Sequence, residues 1–131
     1  ENKDWRILAE GLLKIFQEKK VLIIASSDLS HYPPYEKAKE GDVEVLKCLE
    51  NPDPQILIQK ISQLERKNID GVETFMCAQD AVKTLLEVAR RLGGKGVLLK
   101  YANSGDIPSP FGNKLSVVGY GAVAFYLPYH Q

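Results

Sequence analysis

The sequence predicts an α/β fold, a three-layer arrangement in which helices flank a sheet, and three observations predict it. A continuous apolar run, VLIIA at 21–25, follows a helical pattern directly and reads as a buried parallel strand. Two further strand-like runs close the chain, GVLLKYA at 96–102 and SVVGYGAVAFY at 116–126. The segments between them repeat apolar residues at spacings of three and four, the period of a helix with one buried face.

The elements follow in order. Asp4 can cap a first helix whose apolar residues are Ile7, Leu8, Leu12, Ile15 and Phe16. It ends near Lys19-Lys20, cations suited to a helix C-terminus. After the 21–25 strand comes the loop SSDLSHYPPY, where Pro33-Pro34 delays the next helix. That helix spans 36–50, with Ala38, Val45, Leu46 and Leu49 inward. Asp53-Pro54 forms an N-cap and N1 pair for a third helix through Ile56, Leu57, Ile61 and Leu64. A fourth is expected from about Thr74 to Leu92, on Ala78, Ala81, Val82, Leu85, Leu86, Ala89 and Leu92, with Gly93-Gly94 ending it. Gly119 and Gly121 within the last strand suggest a bulge or a close backbone approach.

Composition narrows the function. The 131 residues are 44% hydrophobic, enough for the core of one domain. Lys plus Arg and Asp plus Glu number 17 each, a balance that argues against nucleic acid or a membrane surface as partner. No apolar run is long enough to span a bilayer. The charged opening ENKDWRIL does not read as a signal peptide, and without an initial Met the chain is expected to be a fragment or a processed product. Two cysteines, Cys48 and Cys77, fit reduced thiols in the cytoplasm better than a disulfide framework.

Three stretches can carry chemistry. Ser26-Ser27-Asp28-Leu29-Ser30-His31 sits at the carboxyl end of the 21–25 run, where open α/β sheets bind ligands. His31 can exchange a proton and Asp28 can orient it; equally, all are common turn residues, and His31 can be a surface histidine. The other histidine, His130, lies beside the C-terminus, where fraying is expected. Cys77 falls in the expected first turn of the fourth helix. A thiol there feels the positive helix end, and the thiolate is the form that binds a metal; a small buried hydrophobe is the competing reading. Cys48, among Leu46 and Leu49, reads as core. Asn103-Ser104-Gly105-Asp106 follows the GVLLKYA strand, again at a carboxyl end, as a site or a plain turn. Zinc-type sites need three or four ligands, so a metal site would be shared with another segment.

The order of VLIIASSDLSHY, FMCAQDAVKTLLEVARRLG, LLKYANSGD and SVVGYGAVAFY resembles the C-terminal half of the Memo-like family, whose microbial members are called AmmeMemoRadiSam system protein B. The resemblance runs from about Val21 to Tyr126. It implies a fold similar to the class III extradiol dioxygenases, non-haem iron enzymes, and hence an incomplete fold here: residues 1–131 would be a single domain or the C-terminal half of a larger one. By match, His31 is the acid–base residue, Asp28 lines the pocket, and Cys77 is the metal ligand. Ser27, Ser30, Asn103 and Ser104 are further ligand-binding candidates. Two histidine ligands would come from an upstream segment or a second chain that supplies the missing half. A cysteine in place of the carboxylate of a 2-His-1-carboxylate site makes copper or zinc as fitting as iron.

Two functions follow as expectations. One is a dioxygenase-like pocket for a metal or small ligand, with possible redox activity. The other is a non-catalytic module that recognises a peptide or a partner protein. An open apolar sheet would also lead the isolated chain to self-associate.

Overall fold

A computed structural model describes residues 4–128; His130 lies outside the described residues. The elements are α1 (Asp4–Glu18), α2 (Tyr35–Cys48), α3 (Pro54–Arg66), α4 (Gln79–Arg91), β1 (Lys95–Asn103) and β2 (Gly119–Tyr126), with one 3-10 turn at Ser104–Asp106. The α/β class is as the sequence predicts. Among the described residues the sheet has two strands, β1 and β2, paired antiparallel from Lys95↔Tyr126 to Asn103↔Gly119.

The hairpin has two unlike faces because side chains alternate along a strand. Leu98, Tyr101, Val123 and Phe125 pack against the main core. That core joins Val45, Leu46 and Leu49 near α2 to Leu57, Ile61 and Leu64 of α3, Phe75, Met76, and Val82 and Leu86 of α4. Phe75, Leu46, Leu57, Leu64 and Leu86 are fully buried, and each such side chain contributes about 1.5–3 kcal/mol of transfer free energy. The opposite face carries Val97, Leu99, Tyr120 and Tyr126, all exposed. A register irregularity between Leu98 and Lys100 places Leu99 outside the ladder.

Local signals explain most boundaries. Pro34 stands at the N-cap of α2. Asp53 caps α3 by accepting from Gln55 N at 2.8 Å, with Pro54 as the first helical residue. Gly93 follows α4 with φ +73°, the left-handed value that ends a helix cheaply only at glycine. The two strand glycines mark close approaches. A Cβ on Gly119 would lie 1.8 Å from Asp42 Oδ2, and one on Gly121 would lie 2.6 Å from Leu46 Cδ2.

Three expectations need correction. Residues 21–25 join no ladder among the described residues, and Leu22 and Ile24 are 84% and 78% exposed. A cleft of about 470 Å³ opens among this segment, α4 and the end of β2. In α1 the buried stripe is Trp5, Ala9 and Leu13, while Ile7, Leu8 and Ile15 face outward. Packing on α4 chose that stripe: Ala9 and Leu13 meet Val88, and Thr84 Oγ lies 3.3 Å from Trp5 O. Finally, α4 begins at Gln79 rather than near Thr74, because Thr74 forms a bridge with His31 and its Oγ accepts from Met76 N.

Candidate functional site

The SSDLSHY turn is threaded between two pieces of chain. On one side Leu29 N donates to Gly119 O (2.9 Å), Gly119 N to Ser30 O (2.9 Å) and Tyr32 N to Val117 O (2.7 Å). On the other side His31 N donates to Thr74 O (2.9 Å), Glu73 N to His31 O (3.1 Å) and Cys77 N to Asp28 O (3.4 Å). Tyr32, at φ +74°, then turns the chain into Pro33-Pro34, a left-handed conformation that the surrounding bonds hold in place.

This threading brings together residues far apart in sequence. One ligand atom from each of Asp28, His31 and Cys77 lies within 4.8 Å of the others. His31 Nε2 is 3.3 Å from Asp28 Oδ2. That contact is close but not aligned as a hydrogen bond, so the buried Nε2 has no hydrogen-bond partner. Asp28 N donates to Cys77 Sγ at 3.3 Å, and Cys77 is exposed. Cys77 precedes Ala78, the N-cap residue of α4, instead of lying inside the helix. Ser27 Oγ accepts from Ala78 N (3.1 Å), donates to Asp28 O (2.8 Å) and lies 3.7 Å from Cys77 Sγ.

The donor set fits a transition metal. Nitrogen, oxygen and sulfur donors suit zinc or copper. The Asp28–His31 separation is close to the roughly 3.4 Å between neighbouring ligands on a tetrahedral ion with bonds near 2.1 Å. Nε2 of His31, without a hydrogen-bond partner, is free to serve either as a ligand or as a proton-exchanging group, but not as both at once.

The remaining sequence candidates lie in the supporting structure. Ser30 is fully buried, with N and Oγ both donating to Asp42. Asn103 is buried; its side chain accepts from Gly105 N, donates to Tyr101 OH and completes a capping box with Asp106. Ser104 Oγ accepts from Val118 N at 2.9 Å, and Val118 is one of two residues bridged to His31. Cys48 is half-buried, its sulfur donating to Glu44 O, and burial pushes its thiol up, with nearby Lys60 opposing.

Sequence reading missed Asp42, a fully buried carboxylate among the apolar positions of α2. A signal was present, because position 42 falls on the stripe of Ala38, Val45 and Leu49. Burial pushes this carboxyl up, while hydrogen bonds from Ser30 and Tyr101 pull it back down. Tyr101, which donates to the same carboxylate at 2.9 Å, is raised chiefly by burial.

A turn that carries Asp28 and His31 against a pre-helical cysteine is the candidate site, and comparison with known proteins names the family. The Memo-like protein family model matches residues 1–124, and the chain belongs to that family. It is 37% identical over 125 residues to a MEMO1 family protein of Sulfurisphaera tokodaii, covering 90% of this chain and 39% of that protein. It is 40% identical over 106 residues to one from Methanosarcina mazei, covering 80% of this chain and 36% of the relative. A relative from Saccharolobus solfataricus is 34% identical over 125 residues, again covering 90% and 39%. The chain thus spans well under half the length of these curated relatives. No helix among the described residues is long and apolar enough to cross a membrane.

Proposed function

We propose that this chain forms one wall of a Memo-like pocket that holds a transition metal, with Cys77 as thiolate ligand and His31 and Asp28 beside it. The observation that carries the reading is the convergence of three unlike donor atoms within 4.8 Å, from two segments far apart in sequence. A bound metal would supply a Lewis-acid or redox centre. His31 would move a proton at Nε2, and Asp28 would orient the imidazole and balance its charge. Ser27 would hold the Cys77 segment against the turn through Ala78 N. Zinc and copper suit the sulfur better than iron does.

The test is titration of the chain with Zn²⁺ and with Co²⁺, the latter read by thiolate-to-metal absorption. Cys77→Ala should abolish that absorption, and His31→Ala and Asp28→Ala should each weaken binding about 10–100-fold. Binding that survives Cys77→Ala and His31→Ala unchanged would refute the assignment.

The open sheet face supports a second element of the reading. Val97, Leu99, Tyr120 and Tyr126, with Leu22 and Ile24, are exposed apolar side chains on the outer face of the hairpin and the adjoining segment. We propose that an upstream Memo-like segment, or a second chain, covers them and adds further ligands to the site. Sedimentation of the chain alone should show association; a stable monomer at micromolar concentration would count against that coverage.

A further inference from the structure

We propose that Asp42 is the positioning residue of the site: its buried carboxylate on α2 fixes the one residue that separates Leu29 from His31, and so sets where the imidazole stands. The proposal rests on the reading of Asp28, His31 and Cys77 given above, and it assigns a role to a charged group that no ligand or proton step there requires.

A wholly buried carboxylate is costly unless its oxygens are satisfied. Asp42 is 0% exposed and accepts three hydrogen bonds. Ser30 N donates to Oδ1 at 2.9 Å, Ser30 Oγ to Oδ2 at 3.0 Å, and Tyr101 OH to Oδ2 at 2.9 Å. Two of the three come from Ser30, itself 0% exposed. The remaining polar atom of Ser30, its carbonyl oxygen, accepts from Gly119 N at 2.9 Å. Every polar atom of Ser30 is therefore committed, and the residue has no freedom to shift. Asn103 Nδ2 donates to Tyr101 OH at 3.2 Å, which ties the same carboxylate to the end of β1. Gly119 completes the arrangement, since only a residue without Cβ lets β2 pass this close to Oδ2.

A generic core residue at position 42 would fill space as well. What a carboxylate adds is direction: three donors converge on two oxygens from the turn and from β1. Sites that hold a metal or move a proton tolerate errors of only about 0.5 Å, and groups behind the ligands supply that precision.

The experiment compares Asp42→Ala, Asp42→Asn and Ser30→Ala with the wild-type chain by amide hydrogen exchange and Co²⁺ titration. In Asp42→Ala the Ser30 and His31 amides should exchange at least about 10-fold faster than in wild type, while Leu86 and Val88 of α4, which report global opening, change far less. Co²⁺ affinity should fall about 10–100-fold. Asp42→Asn keeps an oxygen for Ser30 N and can donate to hydroxyls that rotate, so affinity should recover to within about 3-fold of wild type. If Asp42→Ala does not fold, Ser30→Ala decides, with faster exchange at His31 and an unchanged α4 expected. Exchange at Ser30 and His31 that rises only in step with α4, or not at all, overturns the proposal. A wild-type chain that takes up no Co²⁺ sinks the metal reading instead, and the exchange data still decide the role of Asp42.

Discussion

Gly119→Ala should be among the most damaging single-methyl additions in this chain. The added Cβ would sit 1.8 Å from Asp42 Oδ2 and 2.7 Å from its Cγ. That is about 1.5 Å inside ordinary contact distance. Asp42 has no space to retreat into, being fully buried beneath Ser30 and Tyr101. Either the carboxylate rotates away and loses its donors, or β2 lifts and loses the Leu29 and Ser30 bonds to Gly119. Stripping partners from a buried charge costs about 3–5 kcal/mol, a large share of the roughly 5–15 kcal/mol that holds a domain folded. Urea unfolding followed by circular dichroism should show the midpoint falling by about 2–3 M for an m-value near 1.5 kcal/mol/M. Gly121→Ala meets the flexible end of Leu46, so it should cost less, about 1–2 kcal/mol. Gly11→Ala meets nothing within 4 Å on an exposed stretch of α1 and should be neutral or stabilising by up to about 1 kcal/mol. Gly119→Ala unfolding within about 1 kcal/mol of wild type would refute the close-approach argument.

Three further outcomes are expected. Iodoacetamide at pH 8 should alkylate Cys77 at least about 10-fold faster than Cys48, because Cys77 is exposed and burial disfavours the Cys48 thiolate; peptide mapping by mass spectrometry reads the order, and equal rates would contradict it. Phe75→Ala should destabilise by about 3–5 kcal/mol, since the ring is 1% exposed and packs against Gly41, and thermal unfolding measures the loss. Asp106 is held below the usual carboxylate range first by the Tyr35 hydroxyl at 2.6 Å and then by Asn103 N. A depressed carboxylate stabilises the fold above its unfolded value near 4, and that contribution is lost as pH falls through the folded value. Tyr35→Phe should therefore raise the Asp106 midpoint in a carbon-13 NMR titration, and its stability deficit should be present at pH 7 and shrink below about pH 4; an unmoved midpoint would show that the hydroxyl is not the cause.

Legibility in the sequence followed the range of the physics. The caps and stops around α3 and α4, Asp53-Pro54 and Gly93, act over a few residues and were readable. The inner face of α2 was readable too, because Ala38, Val45, Leu46 and Leu49 repeat at helical spacing. Asp42 was passed over on that same stripe, since a charge there makes sense only once Ser30 and Tyr101 are seen to meet it. In α1 two apolar stripes compete, and local spacing does not say which one α4 covers. The start of α4 was misplaced because the pull on Thr74 comes from His31, 43 positions earlier.

By itself, then, the sequence determined the α/β class, the helical segments, the two late strands and the presence of an Asp–His turn and a cysteine at element ends. Those features depend on backbone preference and on periodicity along neighbouring residues. The tertiary structure decided that 21–25 pairs with no strand among the described residues, that Cys77 meets Asp28 and His31, and that a buried carboxylate stands behind the turn. Cys77 meets Asp28 across 49 positions, and Asp42 meets Ser30 across 12 and Tyr101 across 59; chain closure, not local propensity, brings such groups together.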